Sequence, residues 1–457
     1  MYTCENCGAG LHYDIKSGKL LCDSCLSTYM VGSIKDASAV EETDEINAKV
    51  FHCPQCGGEI VTIDEAAATF CSYCGASAVL ESRMTGIKKP KYIIPFKKTK
   101  DDCRELYLKH VKSNIFAPKE LKAPSYLDRF RGIYIPYWVY DVHIDKDAVF
   151  TGDETHRRGD YIIEDSFKMT CHVKGDFSGI SYDASSSFDD ELCQEIAPYP
   201  TNEYRDFDTG YISGFYADVA DVDYQLYMRD AADFAVDNTM TEVRSKFTEV
   251  DSVDTPDSGF GPVLAPSCGE PKNALFPVWF LSYRNHGRVA YGVVNGLTGK
   301  MSTDTPISVA KYLLFSLLLA IPLFFLLNVG LVLTPSAGLV ATCVITGIGL
   351  ITFLVNRSNI KKQETKELDK GYVSVYGKPG KTTHNGFFTG LIFPSIGLLI
   401  AIAILVFTPV SDIYYYAANL ILIVATGFML IQLIRQFNIL ATRPLPQFNK
   451  NRGEVDA

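Results

Sequence analysis

The sequence predicts a multidomain protein with two small four-cysteine ribbons, a β-rich α+β domain and an α-helical bundle of four membrane spans. Three observations predict this architecture. Eight of the thirteen cysteines form four C-x-x-C pairs near the start of the chain. The middle of the chain is rich in aromatic and β-branched residues, and four long apolar runs follow it. At 457 residues the chain is also too long for a single hydrophobic core.

The cysteine pairs are spaced as two copies of one unit. Within each copy the two pairs are separated by fourteen residues, and the second copy follows the first after 49 positions. Four thiolates brought together suit tetrahedral Zn²⁺, and four protein ligands leave no position open for a catalytic water. The sequence therefore predicts two structural zinc sites. Their ligands are Cys4, Cys7, Cys22 and Cys25 in ribbon 1, and Cys53, Cys56, Cys71 and Cys74 in ribbon 2.

Other uses of these cysteines are less favoured. Disulfides are rare in the reducing cytosol, and a redox C-x-x-C needs a thioredoxin-like βαβ context that the sequence does not show. An iron–sulfur cluster would use the same ligands, although paired symmetrical knuckles favour zinc. Glycine follows three of the pairs, at Gly8, Gly57 and Gly75, where a positive φ is often required. Leu26 follows the remaining pair and is the one departure from this pattern.

The N-terminal part of the chain is acidic. Ribbon 1 is expected at residues 1–29 and ribbon 2 at residues 50–85, joined by a linker at 30–49 that holds an acidic run. A solvated linker of this kind predicts ribbons that move independently. Residues 1–89 contain seven Lys or Arg against twelve Asp or Glu, and the whole chain has a net charge of -10. A phosphate-binding surface shows the opposite balance, so the sequence favours protein over nucleic acid as the partner.

Residues 90–305 predict a sheet-rich α+β domain. Strands are expected at 131–141, 161–173, 276–283 and 288–294, and Pro136 predicts an edge or a bend in the first of them. Helices are expected at 101–113 and around 204–219 and 222–246, with turns at 175–179, 185–189 and 285–287.

Signatures of catalysis are missing from the sequence. It contains no H-E-x-x-H, G-x-S-x-G or G-x-G-x-x-G, and a P-loop-like end at 380–382 has Val375 where the first glycine belongs. Five histidines of the middle region lack metal-ligand spacing, and ordinary surface or core positions are expected for them: His110, His143, His156, His172 and His286. Five isolated cysteines are expected to be packing thiols: Cys103, Cys171, Cys193, Cys268 and Cys343. We therefore expect no enzymatic activity.

Four uncharged apolar runs predict the membrane bundle at residues 312–434. They lie at about 312–333, 338–355, 387–408 and 413–434, and each has enough residues to cross a hydrocarbon core of about 30 Å as a helix. The connection 356–386 carries seven basic residues, whereas the connections 334–337 and 409–412 carry none. Positive loops remain cytoplasmic, which predicts a multi-pass protein of the cell membrane with both termini, including the tail at 435–457, in the cytosol. The start of the chain does not have the basic and apolar pattern of a secretory signal.

The spans themselves contain little that could conduct ions. Charged residues inside a membrane usually mark ion or proton paths, and these runs have none. Their most polar side chains, Asn328, Asn419 and Gln432, are explained by hydrogen bonds between helices. A transporter or membrane-remodelling component is therefore a less favoured alternative, as is a membrane-tethered nucleic-acid-binding protein.

The middle region resembles a known family. Residues 132–141 match the signature G-x-Y-x-P-(F/Y)-W-x-(F/Y)-D, and further similar stretches lie at 183–185, 198–199, 207–218, 276–279 and 294–300. Together they resemble bacterial membrane proteins with N-terminal TFIIB-type zinc ribbons, often labelled replication-restart helicases. This chain has no helicase motor motifs, so that label does not transfer. Some relatives accompany phage-shock-type or SPFH scaffold proteins, and the resemblance implies a membrane-anchored cytosolic adaptor that recruits such a scaffold during envelope stress.

Overall fold

A computed structural model describes residues 2–34, 45–62, 71–74, 81–188, 190–247, 250–285, 288–330, 334–366 and 386–444. Several sequence features lie outside these ranges: Gly75, residues 35–44 of the acidic linker, His286 and Gly287 of the turn at 285–287, the P-loop-like segment, and parts of the basic loop and tail; the side chain of Asn328 is also not described.

Ribbon 1 forms a small antiparallel sheet of its own. Its strands are β1 (Leu11–Asp14), β2 (Lys19–Cys22) and β3 (Thr28–Tyr29), in the order β1-β2-β3. Alternation along β1 buries Leu11 and Tyr13 while their neighbours remain partly exposed, as expected for a strand with one packed face. With Tyr2, Leu20 and Ile34 these side chains make a separate apolar cluster.

Ribbon 2 is built from longer strands and belongs to a larger sheet. Its strands are β4 (Glu45–His52), β5 (Glu59–Thr62) and β6 (Glu81–Lys88), with β4 pairing antiparallel to both of the others. The end of the predicted linker therefore lies inside a strand. Among the described residues, one hydrogen-bonded sheet contains fourteen strands, including these three.

The middle region supplies most of that sheet and the helices that cover it. In chain order its elements are β7 (Tyr92–Ile93), α1 (Lys100–Ser113), α2 (Pro124–Leu127), β8 (Arg131–Arg158), β9 (Tyr161–Asp183), α3 (Asp190–Ile196), β10 (Arg205–Asp206), β11 (Tyr216–Ala217), α4 (Met228–Lys246), β12 (Ser252–Val253), α5 (Gly261–Leu264), β13 (Ser267–Cys268), β14 (Lys272–Asn285), β15 (Arg288–Asn295) and β16 (Met301–Thr303).

Strand β8 is the centre of the sheet. It pairs antiparallel with β14 and β9 and parallel with β11, and β11 in turn pairs with β5 of ribbon 2. Strands β8 and β9 form a long hairpin, which ends in a two-residue turn after Arg158, where Gly159 has φ 69°. Helix α4 packs its buried residues against this hairpin. Ribbon 2 is therefore joined through β11 to the central strand of the domain.

The structure confirms most of the predicted elements and corrects three. Helix α1 and strands β8, β14 and β15 lie where the sequence patterns place them. Pro136 was expected at an edge or bend, but β8 is a central strand. On one side of β8 the paired strand changes from β11 to β9, and Pro136 lies at that change. The predicted turn at 175–179 is instead part of β9. Its Gly179, with φ 81°, lies in a β-bulge opposite Asp141. The predicted helix at 204–219 is mainly short strands and a 3₁₀ turn, Thr209–Ile212.

In the described part of the chain after β16, four apolar helices follow: α6 (Val309–Gly330), α7 (Pro335–Lys366), α8 (Phe393–Phe407) and α9 (Ile413–Leu440). A π-helical turn, Phe388–Ile392, leads into α8 just before Pro394, which has no backbone N–H to donate. Among the described residues, three helical spans are long and apolar enough to cross a membrane: Pro335–Lys362, Phe388–Phe407 and Ile413–Leu440. The described side chains of α6 form a shorter apolar stretch, Val309–Leu323.

Polar side chains between these helices bond to one another. Thr342 donates to Asn419 at 2.7 Å, and the Thr346 and Thr426 hydroxyls lie 2.7 Å apart. Gln432 donates to the Thr389 hydroxyl at 3.0 Å. The expectation that Asn419 and Gln432 hold helices together is thus confirmed by their contacts.

The sheet is bonded directly to the ends of the apolar helices. Arg288, the first residue of β15, donates to the backbone oxygens of Ile439 and Thr442 at 2.8 and 2.6 Å. Asn438 of α9 exchanges two hydrogen bonds with the backbone of Ile307, at 2.8 and 2.9 Å. After α9 the chain adds a short strand, β17 (Arg443–Pro444), to β15. These contacts fix the orientation of the sheet relative to α9.

Candidate metal centres

The structure brings the eight predicted cysteines together as two groups of four. In each group one sulfur atom per residue lies within 4.8 Å of the other three. In ribbon 1, Cys4 Sγ is 3.5 Å from Cys25 Sγ and Cys7 Sγ is 3.5 Å from Cys22 Sγ. The corresponding distances in ribbon 2 are 3.8 Å for Cys53 and Cys74 and 3.6 Å for Cys56 and Cys71. Tetrahedral coordination with metal–sulfur bonds of about 2.3 Å requires sulfurs about 3.8 Å apart, so both groups fit one metal ion each.

The knuckles owe their shape to a tight backbone turn. In the three knuckles whose following residue is described, the backbone amide of that residue donates to the carbonyl of the first cysteine, as Gly8 does to Cys4 and Gly57 to Cys53. Both glycines have positive φ, 74° and 77°. Leu26 makes the same hydrogen bond to Cys22 with φ 60°. The turn is therefore conserved between the described knuckles even where its residue is not glycine, at a backbone cost of about 1–2 kcal/mol for leucine.

Centre 1, the four cysteines of ribbon 1, lies near the protein surface. Cys4 and Cys22 are buried, whereas Cys25 is half-buried and Cys7 is exposed. The hydroxyl of Tyr29 lies 3.4 Å from Cys4 Sγ and lowers the pKa of that thiol to about 6. The hydroxyl of Ser27 lies 3.1 Å from Cys25 Sγ. Both hydroxyls are placed to donate to a thiolate, which is the form that binds metal.

Centre 2, the four cysteines of ribbon 2, lies inside the main core. All four cysteines are buried, at 2% exposure or less. Their cluster includes Phe188, Phe280 and Tyr291 from the central domain. Hydrogen bonds from the other three thiols lower the pKa of Cys53, and the backbone amide of Gly58 donates to Cys56 Sγ at 3.4 Å.

Tyr73, between the last two ligands, joins centre 2 to the domain. Its backbone oxygen accepts a hydrogen bond from the Tyr291 hydroxyl at 3.0 Å, and its ring meets the edge of Phe280 at 5.9 Å. On its other side lies Asp218, just after β11. Burial raises the pKa of Asp218 to about 7, while hydrogen bonds from Ser185 and Tyr73 oppose that rise. No sequence pattern indicated this buried carboxyl, because its burial depends on how β11 packs against ribbon 2.

Ribbon 1 also contacts the domain, although less extensively. The Tyr2 hydroxyl donates to Asp208 at 3.0 Å, and the Ser213 hydroxyl donates to the Leu11 carbonyl at 2.7 Å. The rings of Tyr13 and Tyr211 meet edge to face at 5.4 Å. The acidic linker predicted ribbons that move independently. In the structure both ribbons contact the central domain instead.

The remaining predicted residues fall into two groups. Cys103 and Cys193 are fully packed thiols, as expected, and Cys171, Cys268 and Cys343 are half-buried. The four described histidines of the middle region are exposed, as expected for surface positions, and the β8–β9 hairpin places two of them, His143 and His172, beside one carboxylate, Asp145. Only the strand register, which the sequence does not reveal, could have shown this pair.

Fold and sites together define a membrane-associated protein with two closed four-cysteine centres able to hold metal. No family model matches the chain, and no solved structure matches it. The chain is similar to a protein of Bacillus subtilis (strain 168) described as the uncharacterized protein YdjG. The two are 29% identical over 320 residues, which cover 68% of this chain and 91% of the relative. The likeness therefore extends over nearly the whole relative.

Proposed function

We propose that this protein is a membrane-anchored cytosolic adaptor, in which two zinc-stabilised ribbons and the central sheet present a binding surface to a protein partner. The observation that carries the proposal is the hydrogen-bonded junction between the sheet and α9, made by Arg288 and Asn438. A surface held in this way keeps a fixed orientation at the membrane. The loop charges support four spans with both termini in the cytosol.

Zinc is the metal we assign to both centres. Four sulfur donors at tetrahedral spacing suit zinc, and four protein ligands leave no position for substrate. The proposed role of the metal is to fix the knuckles, without chemistry of its own. Full-length protein purified in detergent under reducing conditions should contain two zinc ions per chain by mass spectrometry of metals. Iron with visible absorbance, or a zinc content near zero, would overturn this assignment.

The proposed contact surface includes the exposed end of ribbon 1. Leu26 is 74% exposed and Met30 is 62% exposed, although both are large apolar residues. Leu26 also holds a backbone conformation that glycine would adopt without strain. A strained, exposed leucine is explained if its side chain contributes to binding. By resemblance to the ribbon-containing membrane proteins, the partner we propose is a phage-shock-type or SPFH scaffold.

Site-specific photo-crosslinking in native membranes tests the adaptor proposal. A photoreactive residue placed at Met30 should capture a membrane-associated scaffold protein. The same residue placed at Ile115, which is 65% exposed on the central domain, is the matched control and should not capture it. Recovery of the same abundant proteins from both positions would count against an adaptor.

Leu26→Gly separates binding from stability. Glycine relieves the strain at positive φ but increases the freedom of the unfolded chain, and these effects of about 1 kcal/mol largely cancel. We therefore expect an unfolding temperature within a few degrees of wild type and a several-fold loss of the Met30 crosslink. An unchanged crosslink would exclude Leu26 from the contact surface.

A further inference from the structure

The β8–β9 hairpin carries a group of imidazoles and carboxylates that neither cysteine centre uses. His143, Asp145 and Asp147 alternate along β8, so their side chains share one face of the hairpin. On β9, Asp176 lies directly opposite His143, and His172 lies directly opposite Asp147. Residues about thirty positions apart are therefore neighbours across the strand pair.

The two ring nitrogens of His143 have the same kinds of partner as those of His172. The Nδ1 atom of His143 is bonded to Asp176, and the Nδ1 atom of His172 lies 2.9 Å from Asp147 Oδ1. Both Nε2 atoms face the carboxylate between them. Asp145 Oδ2 is 3.8 Å from Nε2 of His143, and Asp145 Oδ1 is 3.2 Å from Nε2 of His172.

We propose that His143, His172 and Asp145 form a third metal site, which takes a divalent transition metal such as Zn²⁺. Imidazole nitrogen and carboxylate oxygen are ligands that such ions accept. A histidine that binds metal through one nitrogen commonly donates the other N–H to a carboxylate, which fixes its tautomer and orientation. Asp176 and Asp147 occupy those outer positions, and the two Nε2 atoms are left for the ion.

The site is open and differs in kind from the cysteine centres. Its three proposed ligands are about half exposed, so water can complete the coordination. Among the described residues, only the cysteine groups already have all donor atoms within 4.8 Å of one another. Side-chain rotations on the exposed face must therefore bring the three donors onto the ion, which predicts weaker binding than at either cysteine centre.

Charge on this face also favours a cation. Three carboxylates surround the two imidazoles, and Lys174 lies opposite Asp145 in the register as a positive charge on the same face. A divalent ion offsets the repulsion between the carboxylates, whereas Lys174 opposes its binding. Removal of this lysine should thus strengthen metal binding.

Calorimetric titration of the full-length protein in detergent tests the proposal, with both cysteine centres already loaded with zinc. Added Zn²⁺ should bind one further site in the wild type. The double variant His143→Gln and His172→Gln should lose that event, and Asp176→Asn should weaken it by about 10–100-fold. His156→Gln is the matched control, since His156 is an exposed histidine of the same hairpin beside a single carboxylate, Asp165, at 3.6 Å.

Lys174→Ala gives an independent measurement in the opposite direction, because it should tighten zinc binding several-fold without removing a ligand. The proposal is overturned by the absence of a third binding event in wild type. It is equally overturned if that event survives in the double variant, is lost in His156→Gln, or is weakened by Lys174→Ala.

Discussion

The two cysteine centres have the same ligands at the same spacing but lie in different surroundings. Centre 1 is attached to a three-stranded sheet with its own small core, and one of its cysteines is exposed. Centre 2 is enclosed by aromatic residues of the main core, and its strands continue into the central sheet. The same four-cysteine motif can therefore belong to a small separate sheet, as in ribbon 1, or to the main core of the central domain, as in ribbon 2. Which of these applies is decided by the strands that flank the knuckles.

The largest expected difference is in stability. Cys71→Ser in centre 2 should lower the free energy of unfolding of the central domain by at least ~4 kcal/mol, because the metal proposed for centre 2 would be lost from the core. Cys22→Ser in centre 1 should leave the central domain folded. Both tryptophans of the chain, Trp138 and Trp279, lie in the central sheet, so their fluorescence reports its unfolding. Equal shifts in the two variants would show that both centres contribute alike to the stability of the central domain.

A second difference concerns pH. The pKa of Asp218 is raised from an ordinary value of 3.8 to about 7, so between these values the folded state binds more protons than the unfolded state. Stability should then fall as pH rises through this window, by up to ~4 kcal/mol in total. Asp218→Asn resembles the protonated form and should gain stability relative to wild type from pH 5 to pH 8. Comparing the two proteins at each pH cancels the protonation of the cysteines, and parallel stability curves would contradict the prediction.

The smallest expected difference is in the rate of metal loss. Centre 1 has an exposed and a half-buried ligand, whereas centre 2 opens only when the core does. A chelator should therefore remove one zinc ion at least about tenfold faster than the other, since local opening needs less free energy than opening of the core. A colorimetric chelator measures both phases. Cys22→Ser should abolish the fast phase alone, and a single phase in wild type would remove the distinction.

Patterns within short stretches of sequence predicted those parts of the structure that depend on neighbouring residues. The ligand spacing identified both centres, and continuous apolar runs identified the helices near the C-terminus. Aromatic and β-branched runs located β8, β14 and β15. In each case the residues that carry the pattern are also those that form the element.

Features that depend on distant contacts were not predictable in this way. Pro136 is tolerated in a central strand because the neighbouring strand changes at that position. Gly179 has the positive φ of a turn residue, but the register of β9 uses it in a bulge. The buried state of Asp218 and the meeting of His143 with His172 likewise follow from strand pairing between segments far apart in the sequence.

The position of β17 in the chain has a consequence for how the protein is made. Arg443 and Pro444 pair with Val289 and Arg288 and so complete an edge of the sheet, yet they follow α9 in the chain. During synthesis the ribosome must therefore finish all the apolar helices before the sheet can close. Until then, the backbone carbonyls of Ile439 and Thr442, to which Arg288 donates in the finished protein, have not been made. Completion of the sheet thus waits for completion of the apolar helices.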